Sequence, residues 1–97
     1  MRKYIIEYLG SVFFLYVFVL FIGNPLAIGA AQTICMYLGG PISGGHFNPL
    51  GTLVMTLTGK HPANDIAPYI MAQMLAVVTV FVLYKIFHKI ELFDERI

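Results

Sequence analysis

Charged residues are scarce in this sequence. Only 11% of its 97 residues are charged, whereas 59% are hydrophobic. In a soluble domain roughly a quarter of all residues are charged, so this composition indicates that lipid surrounds the folded chain. The formal net charge of +1 provides no basic surface for nucleic acid. We therefore expect an integral, multi-pass membrane protein that does not bind nucleic acid.

Cysteine is also nearly absent, since Cys35 is the single one. One cysteine excludes a disulfide within the chain, and no Cys/His spacing indicates a metal site. Cys35 lies in an apolar run, which predicts a buried, unreactive thiol. The three histidines (46, 61 and 88) fall in separate elements with no paired nucleophile. The sequence predicts neither an enzyme nor a cofactor.

Three apolar runs are long enough, or nearly so, to cross a membrane as helices. They cover about residues 4–22, 25–38 and 66–87, and the second ends at Gly39-Gly40-Pro41 and is short for a span. The first follows Arg2 and Lys3 but has no cleavage site after it, which predicts a retained helix rather than a signal peptide. A charged tail, 88–97, is expected at the membrane interface. We expect one all-α unit over 1–97, complete from its Met to this tail.

The segment between the second and third runs is predicted to enter the membrane without crossing it. It starts with a glycine-rich loop from Ile42 and continues as a short apolar helix, the two together covering about 42–58. Asn48 is a favoured N-cap, Pro49 suits the first helical position, and Gly59 suits the C-terminal cap. About ten helical residues rise about 15 Å, half of a bilayer core. This pattern predicts a re-entrant pore element.

A few polar side chains interrupt the apolar runs. Glu7 lies about one turn inside the first run, where a carboxylate is costly unless it is paired or sits at the interface. Gln32 is expected to form a helix–helix hydrogen bond. Asn64 or Asp65 is expected to cap the last helix.

Three motifs in this order resemble the aquaporin (major intrinsic protein) family, specifically its first half. Ser43-Gly44-Gly45-His46-Phe47-Asn48-Pro49-Leu50 matches the family loop in all but its last residue, Glu7-Tyr8-Leu9-Gly10-Ser11 resembles the first-helix motif, and Tyr69-Ile70-Met71-Ala72-Gln73 resembles the third-helix motif. The resemblance covers about residues 7–80. It implies three membrane-spanning helices plus one re-entrant half-helix.

The resemblance also implies roles for single residues. Asn48, capping the half-helix that begins at Pro49, would direct its amide into the pore. Backbone carbonyls would line the path at Gly44, Gly45, His46 and Phe47. Glu7 and Gln73, together with Ser43, would hold the loop by hydrogen bonds.

Three positions depart from the family pattern or bear on its filter. Leu50 replaces an alanine at the constriction. Gly51 occupies the position at which the second half of the family supplies a filter arginine. Ile28 aligns with the filter residue of the second helix. These residues imply a wide, uncharged filter that accepts glycerol.

One half-repeat does not enclose a pore, because its loop carbonyls and Asn48 would face lipid. The lysines and arginines divide equally between the two sides of the membrane, as Arg2, Lys3 and Lys60 against Lys85, Lys89 and Arg96. This balance imposes no single orientation. We therefore predict an antiparallel, dual-topology homodimer made with an inverted second copy, or alternatively pairing with a second half-channel subunit, and such dimers could assemble into four pores.

The predicted function is passive conduction of water or small neutral solutes such as glycerol. Two alternatives stay open at this point. One is a proton or ion channel gated by Glu7. The other is a non-conducting assembly subunit or a fragment of a full-length channel.

Overall fold

The computed structural model describes residues 1–89, and the predicted tail from residue 90 onward lies outside this part. The described chain forms four α-helices: α1 (Arg2–Leu20), α2 (Pro25–Ser43), α3 (Pro49–Leu57) and α4 (Ile66–Phe87). A 3₁₀ turn, Ala63–Asp65, precedes α4, and no strand occurs between residues 1 and 89. Segments Arg2–Leu20, Pro25–Ser43 and Ala63–Phe87 are each long and apolar enough to cross a membrane. The expected all-α architecture of three spans and a shorter helix is confirmed.

A tight turn joins α1 to α2. Gly23 has φ +88°, a backbone conformation that glycine adopts at little cost. The Asn24 side chain then accepts a hydrogen bond from the Ala27 amide at 3.2 Å, and Pro25 fills the first helical position. Because the link is so short, α2 returns antiparallel along α1.

Helix α2 is longer than its sequence predicts. The expected end at Gly39-Gly40-Pro41 is wrong, because the helix continues through Pro41 to Ser43 and is a full span of 19 residues. A Cβ on Gly39 would lie 2.8 Å from Ile6, so this glycine permits close helix packing rather than ending the helix. Pro41 lies inside the helix and cannot donate a backbone hydrogen bond, but α2 continues past it to Ser43.

Helix α1 lies at the centre of the described bundle, with α2 and α4 packed against it, and α3 packs on α4. The residues buried at these contacts are mainly small, among them Ala31 and Cys35 on α2 and Ala76 on α4. The Cys35 thiol is buried as predicted and donates to the Ala31 carbonyl. The expectation for Gln32 is wrong: it is exposed on the outer face of α2 and forms no helix–helix hydrogen bond within residues 1–89.

Both ends of α3 are capped by short-range contacts. The Asn48 side-chain oxygen accepts from the Gly51 amide at 2.8 Å. At the other end Gly59 has φ +76°, while its amide donates to Thr56 O and the Lys60 amide donates to Met55 O. These two bonds form a Schellman motif, so α3 ends at Leu57, just before the predicted glycine cap.

The start of α4 differs from the expected capping. Asp65 occupies the cap position, but its side chain caps no backbone amide of α4. Its carboxylate instead accepts from Lys3 Nζ at 2.6 Å and Tyr4 Oη at 2.8 Å, and it pairs with His61 Nε2 at 3.0 Å. These charged and phenolic donors stabilise the buried carboxylate more than a single capping bond to a backbone amide would. These contacts join the N-terminal ends of α1 and α4.

Candidate functional site

The loop between α2 and α3, residues 44–48, has an unusual backbone. Gly44 and Gly45 have φ of +92° and +68°, and Phe47 has φ +57°. Phe47 is the one residue other than glycine with positive φ in the described part of the chain. Such a conformation costs free energy in a residue with a Cβ and persists where surrounding contacts hold it in place. The hydrogen bonds that hold this loop come from α1, from the end of α2 and from α3, and α4 supports these partners.

Glu7, which is fully buried on α1, receives four hydrogen bonds on its two carboxylate oxygens. Its Oε2 accepts from Ser43 Oγ at 2.6 Å and from the His46 amide at 3.1 Å. Its Oε1 accepts from the Phe47 amide at 2.8 Å and from Gln73 Nε2 at 3.0 Å. Two loop amides that no helix can satisfy are therefore paired by one side chain.

Gln73 connects this carboxylate to the half-helix. Its Nε2 also donates to Thr52 Oγ1 at 2.8 Å. The same hydroxyl lies 2.9 Å from His46 Nδ1, on the loop. All three of these side chains are buried, so α4, α3 and the loop meet at a single hydroxyl group.

Ser43 closes the network at the end of α2. Its hydroxyl donates to Glu7 and accepts from the Gly45 amide at 3.2 Å, while the Ser43 carbonyl accepts from Tyr69 Oη at 2.6 Å. The structure thus brings Ser43, Glu7 and Gln73 together around the loop. Three buried polar atoms, Ser11 Oγ, His46 Nε2 and Gln73 Oε1, have no partner among residues 1–89.

The predicted pore residues differ in how far the single chain exposes them. Gly45, His46 and Phe47 are buried within the single chain, whereas Gly44 and Asn48 are exposed. Pro49 and Gly51 are half-buried in the first turn of α3, and the Leu50 side chain is 77% exposed beside them. Because the Asn48 oxygen is used for capping, its amide donors are left on the exposed side.

Ile28, the predicted filter residue of α2, does not lie near the loop or the start of α3. It is half-buried near the start of α2. Ser43 follows it by 15 residues, so the two lie about 22 Å apart along the helix axis. Ile28 and the loop thus belong to different depths of the bundle.

Sequence reasoning missed two residues of the network, Thr52 and Tyr69. Thr52 lies four residues after Asn48, and it is the fully buried polar residue of the apolar helix α3. Tyr69 precedes Gln73 by four residues, so the two share a face of α4. This i, i+4 spacing from predicted site residues is the signal that could have found them.

These observations define an integral membrane protein with three spans and a half-helix held by buried polar side chains. The sequence profile of the family "Major intrinsic protein" matches residues 19–95. The chain therefore belongs to the major intrinsic protein family.

Curated relatives agree with this assignment. The chain is 45% identical to Aquaporin Z of Brucella melitensis over 67 residues, which are 68% of this chain and 29% of that protein. It is 39% identical to Glycerol uptake facilitator protein-like 6 of Lactiplantibacillus plantarum over 97 aligned residues, 90% of this chain and 44% of that protein. A third relative is Aquaglyceroporin AqpS of Rhizobium meliloti, at 40% identity over 55% of this chain and 23% of that protein. The chain thus spans less than half the length of each of these relatives, and no solved structure gives a significant match.

Proposed function

We propose that this protein forms a passive channel for water and small neutral solutes such as glycerol. The observation that carries the proposal is the exposed Asn48 at the start of a half-helix whose preceding loop is fixed by Glu7. Nine helical residues extend about 14 Å, about half of a bilayer core, so α3 is too short to cross the membrane. The names of the relatives, aquaporins and glycerol facilitators, support these solutes.

The chemistry at the start of α3 suits neutral hydroxyl compounds. The N-terminus of a helix carries a partial positive charge, which disfavours cations. The Asn48 amide can donate to the oxygen of a passing water molecule or alcohol. A solute that both accepts and donates hydrogen bonds can exchange its water shell for this amide and for the carbonyls of the loop.

A second half is needed to enclose such a path. In the single chain Gly44 and Asn48 are exposed, and a polar group left facing hydrocarbon costs several kcal/mol. The outer side chains of α3 are also exposed, with Leu50 at 77% and Leu57 at 84%. We propose that an inverted second copy of the chain covers this surface and supplies the second half-helix.

The antiparallel arrangement follows from the odd number of spans and from the balanced charge. Three spans place the two ends of the chain on opposite sides of the membrane, so an inverted repeat requires both orientations of the same chain. Three lysines and arginines on each side leave these orientations close in free energy. Such dimers could assemble further into arrays of four pores.

The filter of this dimer would lack a cation. Gly51 provides no side chain at the position that corresponds to the family's filter arginine, and neither copy supplies one there. Leu50 would make the lining apolar at this position, and Ile28 would do so at a different depth of the path. We therefore expect glycerol as well as water to pass.

The geometry favours neutral solutes over a proton path through Glu7. The carboxylate is fully buried, and four donors already engage both of its oxygens. A group so enclosed has no open side through which to exchange protons with the pore. Proton flux in liposomes that Glu7→Gln abolishes would contradict this view.

Stopped-flow measurement of water and glycerol flux in proteoliposomes tests the channel. Asn48→Ala is expected to change the flux, because it removes both the half-helix cap and the amide donor. Asn24→Ala is the matched control, since Asn24 also caps a helix before a proline but lies in the α1–α2 turn. Flux unaffected by Asn48→Ala, or no faster than in empty vesicles, would refute the proposal.

The dual topology needs a separate measurement. Single cysteines are placed after residue 22 or after residue 60 in a Cys35→Ala chain, and a membrane-impermeant thiol reagent is applied from one side. Each cysteine should be labelled in about half of the molecules if both orientations insert equally. Labelling of all or none of the molecules would show a single orientation and would exclude the homodimer.

A further inference from the structure

The side chain of Phe47 is buried in the bundle, whereas the next residue, Asn48, is exposed. Phe47 is 3% exposed, although its backbone belongs to the pore loop, residues 44–48. We propose that Phe47 is the positioning residue of the solute path, because the fit of its ring between α1 and α2 sets how far Asn48 stands out from the bundle. The width of the path follows from that position, an inference that rests on the proposed function and names the residue that controls solute size.

Glycines on three segments make the space that the Phe47 ring occupies. A Cβ on Gly10 of α1 would lie 2.1 Å from the ring, and a Cβ on Gly39 of α2 would lie 3.0 Å from it. On Gly45, in the pore loop itself, a Cβ would lie 3.5 Å from the ring, in ordinary van der Waals contact. Gly10 and Gly39 thus form a glycine notch, and the ring fits there only because neither helix carries a side chain at these positions.

The backbone of Phe47 connects this ring to the pore loop. Its φ of +57° is unfavourable for a residue with a Cβ, and its amide donates to Glu7 Oε1 at 2.8 Å. Such a conformation persists where the surrounding contacts determine it fully, so the backbone is not free to turn independently of its side chain. A change in the depth of the ring should therefore move the loop, and Asn48 with it.

The pore loop separates the glycine notch from the exposed face. Gly44 and Asn48 are the exposed residues of this loop, and the Asn48 oxygen caps α3 by accepting from the Gly51 amide at 2.8 Å. A smaller side chain in the notch lets the loop settle toward α1 and α2, away from the path. A side chain that fills the notch from the helix side pushes the ring and the loop the other way. The first change should widen the path and the second should narrow it.

The ratio of glycerol to water permeability in proteoliposomes tests the proposal, because this ratio depends on the width of the path. Phe47→Leu shortens the side chain and should raise the ratio about threefold, since glycerol is larger than water and gains more from a wider path. Gly10→Ala should lower the ratio, and adding Phe47→Leu to Gly10→Ala should return it toward the wild-type value. Loss of packing alone predicts no such pair of opposite shifts, because both substitutions disturb the core.

Two matched controls separate the position of a residue from the chemistry of its substitution. Phe18→Leu makes the same replacement at a ring of α1 that is 42% exposed, and Gly29→Ala adds a Cβ that has no atom within 4 Å. Both should keep the wild-type ratio. An unchanged ratio in Phe47→Leu, or shifts of the same sign in Phe47→Leu and Gly10→Ala, would overturn the proposal. Where Gly10→Ala does not fold, Phe47→Leu alone decides it.

Crystal structures of the wild-type and Phe47→Leu chains in one crystal form separate the position of Asn48 from conduction. With α1 and α2 superposed, the Asn48 Cα should move about 1 Å toward the glycine notch, because the structure around a shortened core side chain relaxes in part. The Cα of Asn24, which caps α2 in the α1–α2 turn, should stay in place. An empty notch with Asn48 unmoved would overturn the positioning role, even in a chain that conducts.

Failure of the proposed function would be recognised separately. Wild-type flux no faster than in empty vesicles would refute the channel, and the control of solute size with it. The displacement of Asn48 in the Phe47→Leu crystal would then decide the positioning role by itself.

Discussion

The hydroxyl of Thr52 accepts a hydrogen bond from Gln73 Nε2 at 2.8 Å, and this bond joins the half-helix to the last membrane span. The same oxygen lies 2.9 Å from His46 Nδ1. Because α3 packs on α4 within the described bundle, this fully buried contact between Thr52 and Gln73 fixes the rotation of α3 about its helix axis. The direction in which Asn48 points follows from that rotation.

Replacing Thr52 by valine tests this contact. Valine keeps the shape of the side chain but leaves one N–H of the Gln73 amide and the His46 ring nitrogen Nδ1 without their partner, while the other Gln73 N–H still donates to Glu7. We expect Thr52→Val to lower the free energy of unfolding by about 1–3 kcal/mol. Thr52→Ser, which keeps the hydroxyl, should lose less. Denaturant unfolding in detergent micelles, followed by circular dichroism, measures both, and equal losses would argue that the hydroxyl is unimportant.

Replacing Glu7 by glutamine should loosen the pore loop. Glutamine has one acceptor oxygen and one amide donor, and in either orientation the donor faces a backbone amide, of His46 or of Phe47. We expect faster hydrogen exchange at these two amides, measured by nuclear magnetic resonance or mass spectrometry. Gln32→Ala, at an exposed position of α2, is the control and should leave their exchange unchanged. Unchanged exchange in Glu7→Gln would show that other contacts hold the loop.

Two glycine-to-alanine substitutions should have opposite effects on stability. A Cβ on Gly10 would lie 2.1 Å from the Phe47 ring, so Gly10→Ala should destabilise the fold by about 1–3 kcal/mol through overpacking. No atom lies within 4 Å of a Cβ on Gly29, so Gly29→Ala should stabilise α2 by about 0.5–1 kcal/mol. Thermal unfolding in micelles compares them. A Phe47→Leu substitution should partly rescue Gly10→Ala, and failure to do so would place the clash elsewhere.

Tyr69→Phe removes a single buried hydrogen bond. The Tyr69 hydroxyl donates to the Ser43 carbonyl at 2.6 Å, and that carbonyl would be left without this donor. We expect a loss of about 1 kcal/mol in the free energy of unfolding. Tyr37→Phe, at a side chain that is 80% exposed, is the matched control and should change nothing measurable. If both variants unfolded alike, Tyr69 would have no part in holding the end of α2.

Local sequence signals predicted the elements well where their physical cause is local. Asn48, Pro49 and Gly59 mark the ends of α3 because capping bonds link residues only a few positions apart. The apolar runs marked α1 and α4 to within about two residues, with α1 from Arg2 to Leu20 rather than about 4–22, whereas α2 continues to Ser43, beyond its predicted end. Each of these signals depends only on residues within one or two helical turns of it in sequence.

The errors occur where distant residues decide. Gly39 looked like a helix end, but Ile6, which is distant in sequence on α1, packs against it together with Phe47 from the loop after α2. Asp65 looked like a cap, but Lys3 and Tyr4, more than 60 residues away, bind its carboxylate. The roles of such residues depend on which partner the fold brings to them.

The amino-acid sequence by itself determined that this chain is an integral membrane protein, that it has three spans and a capped half-helix, and which family its motifs resemble. Hydropathy, capping and motif spacing are properties of short segments, so they can be read without a fold. The tertiary structure decided which donors meet at Glu7, that Thr52 and Tyr69 belong to the network, and that the Phe47 ring packs against Gly10 and Gly39. These facts depend on contacts between helices that are far apart in sequence, such as the bond between Glu7 and Gln73, which are 66 residues apart.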